Sequence, residues 1–408
     1  MTDGATGLRR IDPALLVVLA GVSAALHVGK LPPALPVLRE ALGISLVQAG
    51  FMLSLVQFAG MALGLLVGLA ADGWGLRRSM IVGLLVLFVA SLWGGFARDG
   101  ASLLVLRGIE GFGFLLASLP APSLIRRLVP PQRISAMLGL WGAYMPLGTA
   151  AALLCGPWVL AHADWRLWWD LVGGLSLLAA LALWRGVPAD PAVRTVAQGG
   201  GVGAPWPRRL VRTLRAPGPW LVAVTFAMYS GQWLAVVGFL PSIYAQAGIS
   251  GVIGGVLTAL AAAVNMVGNI ASGRLLQRGW RAGTLLCIGF TAMALGAFGA
   301  FGAFASLPDA FWPPHMRFLA VLLFSTVGGM IPGTLFSLTV RLAPSDDTVS
   351  TTVGWVQQWS AIGQFVGPPI VGWLAGRVGH WQWTWLVTGA CAVVGMALSV
   401  RIARLLRA

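Results

Sequence analysis

Pro13-Ala14-Leu15-Leu16-Val17-Val18-Leu19-Ala20-Gly21-Val22-Ser23-Ala24-Ala25-Leu26-His27-Val28-Gly29-Lys30-Leu31-Pro32-Pro33-Ala34-Leu35-Pro36 decides what kind of chain this is. As a helix it covers about 36 Å at about 1.5 Å per residue, enough to cross a hydrocarbon layer about 30 Å thick. The run passes through Lys30 and its prolines without a small-residue cleavage site, so it reads as a span and not as a signal peptide. Lys30 is the one lysine of the chain, against 26 arginines. A charge held at that depth is costly, and by default it marks a solute or ion path.

The remaining sequence repeats the pattern. Hydrophobic residues make up 58% of the 408, charged residues 10%, and mean hydropathy is +0.84, which excludes a water-soluble domain of this size. Apolar runs of roughly 18 residues or more fall at 13–36, 46–70, 79–97, 101–125, 135–160, 167–186, 219–246, 251–273, 283–305, 316–340, 352–376 and 383–402. Each has to be helical, because a spanning backbone must satisfy its own hydrogen bonds. The short alternating segments of a membrane barrel are absent from the sequence. The expected class is therefore an all-α membrane protein of twelve transmembrane helices.

Charge sets the expected orientation. With a cytoplasmic amino terminus, nineteen arginines fall on inside loops and four, Arg39, Arg98, Arg166 and Arg377, on outside connections. The asymmetry predicts both termini in the cytoplasm of a bacterial inner membrane. The net charge of +15 is scattered over many short loops, which argues against nucleic-acid binding. Trp206-Pro207-Arg208-Arg209-Leu210-Val211-Arg212-Thr213-Leu214-Arg215 reads as a short basic amphipathic helix on the inner surface, anchoring span seven. Cys155, Cys287 and Cys391 stand at unrelated spacings inside apolar runs and suggest neither a disulfide framework nor a metal cluster.

The chain is also duplicated. Residues 187–217 have linker composition, with Gly199-Gly200-Gly201 and several prolines. The expected organisation is a first six-helix bundle over 1–186, a cytoplasmic linker over 187–217 and a second bundle over 218–408. Arg127-Leu128-Val129-Pro130 returns as Arg341-Leu342-Ala343-Pro344, and Trp141 returns at the same offset as Trp355. Tandem six-span repeats are the layout from which transporters build a midplane site between two rocking halves.

Between spans two and three stands Gly68-Leu69-Ala70-Ala71-Asp72-Gly73-Trp74-Gly75-Leu76-Arg77-Arg78, similar to the loop signature of the major facilitator superfamily at Gly68, Asp72, Gly75 and Arg78. Span four carries Arg107-Gly108-Ile109-Glu110-Gly111, which resembles that superfamily's Arg-Gly-x-x-Gly motif. The second-half copy of the loop, Gly273-Arg274-Leu275-Leu276-Gln277-Arg278-Gly279, places Gln277 where the acid should stand. The resemblance covers essentially the whole chain. It implies an alternating-access carrier, with the four loop residues as a gating clasp and spans one, four, seven and ten around a central cavity. Gly29-Lys30-Leu31-Pro32-Pro33 and Leu42-Gly43-Ile44-Ser45 further resemble the cyanate/nitroimidazole permease branch, with lysine where that branch carries arginine.

Helical rise places Lys30 and Arg107 with Glu110 at overlapping depths, so these three, with His27 one turn further in, are expected to form one polar cluster. Two cations against one carboxylate favour a small anionic or polar solute, with Lys30, His27 and Arg107 as its partners. Glu110 and His27 are the proton carriers of that reading. A structural reading stays open on sequence alone: Lys30 snorkels outward and Arg107 pairs with Glu110 only to lock the bundle. Tyr229, Gln232 and Asn265 are the second-half candidates for solute contact, although amides at membrane depth also bridge helices. Pro120, Pro122 and Pro332 read as gate bends, and Asp170 as the i,i+4 partner of Arg166.

Other classes fare poorly. The one lysine is followed by Leu31, so no phosphate-loop ATPase motif exists, and neither a His-Glu-x-x-His run nor a Gly-x-Ser-x-Gly motif supports an enzyme. No cofactor or metal is expected, and a monomer suffices because the repeat supplies both gates. The alternative within the carrier class is a proton-antiporting exporter of small drugs or metabolites.

Overall fold

The computed structural model describes residues 12–65, 75–130, 133, 137, 140–141, 143–190, 206–249, 251–302, 313–345 and 348–407. Among these the regular structure is helical throughout. Eleven helices are long and apolar enough to cross a membrane: Pro13–Leu42, Leu46–Leu65, Leu76–Gly95, Gly100–Leu128, Tyr144–His162, Trp165–Gly186, Pro217–Gln246, Gly251–Gln277, Ala282–Phe301, Pro314–Arg341 and Trp381–Leu405. The helix Val349–Val378 has 30 residues but is too polar for that test and completes a twelve-helix fold. It packs against both halves: Ser360 O accepts from Ser230 Oγ of span seven (2.8 Å), and Gln358 Nε2 donates to Met61 O of span two (2.7 Å). In span five a helix runs from Tyr144; before it Met137, Leu140 and Trp141 are also helical, and the rest of 134–142 lies outside the described residues.

Several spans are broken where the sequence forces it. Lys30 separates Pro13–Gly29 from Leu31–Leu42 because Pro32 and Pro33 cannot donate to the preceding turn. Pro120 divides Gly100–Ser118 from Ala121–Leu128, and Ser79 Oγ of span three donates to Leu116 O (3.2 Å), the carbonyl that the missing Pro120 N–H leaves open. Span ten breaks at Gly329, just before Pro332. The amphipathic helix Trp206–Arg215 is present, tied to span seven through Trp220 Nε1 donating to Leu214 O (2.8 Å) and to the loop after span ten through Arg212 and Ser345 (3.1 Å).

One apolar core is drawn almost wholly from spans one to six and a second from spans seven to twelve. A third joins Leu35, Leu53, Phe239 and Val371 across both halves, at the end of the molecule away from the two termini. Backbones meet there over glycine. A Cβ on Gly50 would stand 2.7 Å from Pro368 O, one on Gly372 2.5 Å from Leu46 O, and one on Gly255 2.2 Å from Pro157 Cγ. These approaches close that end and leave no room for larger residues.

On the side of the termini, Asp190 ties the first half together. Its carboxylate accepts from the backbone N–H of Arg77 (3.1 Å) and Arg78 (2.9 Å) at the start of span three, and pairs with Arg127 at the end of span four (2.9 Å). Negative charge at a helix start is favourable. Gly75, at φ 103°, makes room, since a Cβ there would lie 2.6 Å from Asp190 Oδ2. The Arg77 side chain reaches back to Leu183 O (3.3 Å) and Trp184 O, capping the end of span six. Burial opposes ionisation of Asp190, but the Arg78 and Arg77 N–H groups and the Arg127 guanidinium outweigh it and hold the carboxyl below its ordinary value.

Two outcomes follow from these contacts. Gly50→Val overpacks the join of the halves, at a cost of about 1–3 kcal/mol, so a cysteine introduced at Leu53, 2% exposed, should react several-fold faster with a maleimide in an otherwise cysteine-free chain. Unchanged labelling would contradict the tight join. Asp190→Asn should lower stability by about 1–3 kcal/mol. Because the folded carboxyl titrates below the unfolded one, that difference should be constant from about pH 5 to 8 and shrink below about pH 4, as thermal unfolding of both proteins would show.

Candidate functional site

The break at Lys30 turns its ammonium into the first bundle. Lys30 and His27 are 0% exposed, Arg107 0% and Glu110 1%. Lys30 Nζ donates to Glu110 Oε1 and to Ser91 Oγ of span three (2.7 Å), and lies 4.7 Å from the centre of the Trp169 ring of span six. Arg107 Nη1 donates to Glu110 Oε2 (2.5 Å) and to His27 O (2.8 Å), while Nε donates to Met52 O of span two (3.2 Å). His27 Nδ1 stands 3.3 Å from Glu110 Oε1, and Nε2 stands 2.8 Å from Ser176 Oγ, itself 3.2 Å from Ser23 Oγ. Trp168 Nε1 donates to Lys30 O (2.9 Å), bracing the break.

The four first-half residues are thus brought together, and Lys30 does not snorkel. Its ammonium faces spans three, four and six, not the opposite half. The cluster sets two basic side chains, Lys30 and Arg107, around the Glu110 carboxylate, and Arg107 Nη2 has no hydrogen-bond partner among the described residues. A buried guanidinium donor left open is expensive.

The second-half candidates separate. Tyr229 Oη and the Asn265 amide bond one another (3.0 and 3.2 Å), and Asn265 Nδ2 also donates to Ser325 O (2.9 Å), so this pair joins spans seven, eight and ten. Gln232 is 1% exposed; its Nε2 donates to Met228 O one turn back (3.0 Å), and its Oε1 is buried without a partner among the described residues. Of the gating-loop residues, Gly68 and Asp72 lie outside the described residues. Gly75 and Arg78 meet Asp190 as above. Arg166 pairs with Asp164 (3.0 Å) and not with Asp170, because Asp164 caps the start of span six beside it.

Sequence reasoning passed over Gln57, Ser91, Ser176 and Asp190. Gln57, 5% exposed in the tightened turn Leu55–Gln57, has a buried Nε2 without a partner among the described residues. Serines in small-residue spans give no signal. Asp190 did give one: it is the one carboxylate between residues 171 and 308, beside an arginine-rich surface.

Known proteins agree with this architecture. The cyanate transport protein CynX of Escherichia coli (strain K12) is 25% identical over 402 residues, 95% of this chain and 96% of its own length. The puromycin resistance protein pur8 of Streptomyces alboniger is 35% identical over 178 residues, 43% of this chain and 34% of its own. Among solved structures, a bacterial homologue of the human lysosomal transporter Spinster, inward-facing and occupied, superposes with a TM-score of 0.75 at 16% identity, covering 96% of both chains. The Major Facilitator Superfamily pattern matches residues 14–357. With twelve helices and this match over most of its length, the chain belongs to the Major Facilitator Superfamily and is a membrane transporter.

Proposed function

We propose that this transporter carries a small anionic or strongly polar solute by alternating access, with the side of the termini facing the cytoplasm. The observation that supports the reading is the spare Nη2 donor of Arg107, in a buried cluster where two basic side chains share one carboxylate, Glu110. An anion there gains a charge-assisted hydrogen bond without breaking the Lys30–Glu110 pair, whereas a lipophilic cation is repelled.

Gln57 Nε2 and Gln232 Oε1 extend the site across the two halves. Span eleven serves as a common ruler: Gly50 faces Pro368, Gly60 faces Ala361, and Gly231 faces Gly363 and Gly367. Gln57 and Gln232 therefore stand at one level, with Leu53 against Gly238 one to two turns further from the termini. Two donors and one acceptor, all buried, suit a small anion that also carries an O–H or N–H group. Glu110 and His27 are the proton carriers in this proposal, since Glu110 can lose its cation partners' hold only if protonated, and His27 sits between it and Ser176. Tyr229 and Asn265 act as helix bridges. The similarity to pur8 over part of the chain supports the exporter alternative, which would appear as drug resistance in expressing cells without anion uptake.

Arg107→Lys keeps a cation beside Glu110 but removes the spare donor. It also loses the bonds to His27 O and Met52 O, so some stability falls with it; in protein that remains folded, saturable uptake of cyanate and of small hydroxy or amino carboxylates into proteoliposomes should fall at least tenfold, and normal anion uptake by this variant would refute the site. Glu110→Gln strands two buried cations and should instead cost about 3–5 kcal/mol of stability. Uptake indifferent to external pH and to uncouplers would exclude proton coupling.

A further inference from the structure

In the second half, on the side of the termini, a cavity of about 650 Å³ opens between the start of span nine and the ends of spans ten and twelve. Arg281, Arg341 and Arg407 line it together with Thr284 and Ser337, and no carboxylate stands among its described lining residues. The ion pairs of the described residues involve none of these three arginines.

The first half contains the same place already filled. Arg341 repeats Arg127 within the duplicated segments, and Gly279, at φ 86°, precedes span nine as Gly75, at φ 103°, precedes span three. In the first half the Asp190 carboxylate, beyond span six, bonds the start of span three and Arg127. In the second half the corresponding end of span twelve offers Leu406 and Arg407, and the start of span nine has no side-chain cap.

We propose that the cavity binds a phosphate-type anion, either free inorganic phosphate or the phosphate of an acidic phospholipid headgroup, in the position that Asp190 holds in the first half. The arginine forks match phosphate oxygens two at a time, and Thr284 adds a hydroxyl donor, while the Ser337 hydroxyl, which donates to Gly333 O, would have to turn to serve as a second. The bound anion ties span nine to the ends of spans ten and twelve, as Asp190 ties spans three, four and six. This site is separate from the solute site and does not depend on the solute's identity.

Thermal unfolding of the full chain tests it. In phosphatidylcholine nanodiscs, inorganic phosphate is titrated against chloride at equal ionic strength; in a second arm, phosphatidylglycerol nanodiscs without phosphate are compared with phosphatidylcholine ones. A rise of several degrees is expected in at least one arm, and the arm identifies the source. The rise should vanish in Arg341→Gln/Arg407→Gln and persist in Arg401→Gln, an exposed arginine outside the cavity. No rise in either arm, or equal rises in the double variant and in Arg401→Gln, would overturn the proposal. If the double variant does not fold, Arg407→Gln alone is read against Arg401→Gln by the same criteria.

Discussion

The Glu110 carboxylate is the interaction on which the first half rests. It holds Lys30 on one oxygen and Arg107 on the other, and through them joins spans one and four, while Ser91, Trp169 and Ser176 bring in spans three and six. Taking three charges out of water is costly, and only close pairing with full hydrogen bonding repays it. The pairing is nearly complete. What remains is the Nη2 group of Arg107, two N–H donors without a partner among the described residues, held where the protein could have placed leucine.

That arrangement constrains how the halves move. Where they meet, the contact runs over Gly50, Gly255 and Gly372 against backbone and proline, with weak adhesion per contact and no ion pair across it among the described residues. Small-residue seams can part and reform without stranding a charge. The charged groups instead stay inside one bundle, so the proposed alternating access would leave their pairing intact, while Gln57 and Gln232 belong to different halves.

The fold was legible in the sequence because hydrocarbon allows so few solutions, and the run from Pro13 to Pro36 already implied it. Span eleven shows the limit of that reading, since the face of a helix packed against spans two and seven can carry Gln358 and Ser360 where a lipid-facing one cannot. In the site, overlapping depths were enough to unite His27, Lys30, Arg107 and Glu110. Depth says nothing of azimuth, so the turn of the Lys30 ammonium toward spans three and six required the break at Pro32 and Pro33 to be seen in three dimensions. Asn265 and Gln232 looked alike in sequence, yet one is consumed by Tyr229 and Ser325 and the other keeps an open acceptor. For the same reason Asp190, outside every recognised motif, drew no attention in sequence although it ties the start of span three to the end of span four.

The duplication separates what the fold needs from what the solute needs. Nine of the twelve carboxylates lie before residue 218 and three after it, against 18 and nine basic residues, so acidic partners are outnumbered in both halves and scarcest in the second. A carrier whose halves were electrostatically equal would attract a solute no more to one wall than the other. Here the first half presents a fixed positive donor at its centre, and the second presents a neutral acceptor on Gln232. Under the proposed function, an anion would remain on the first half throughout the cycle and the second half would move around it, since only a neutral hydrogen bond has to break for the far side to open.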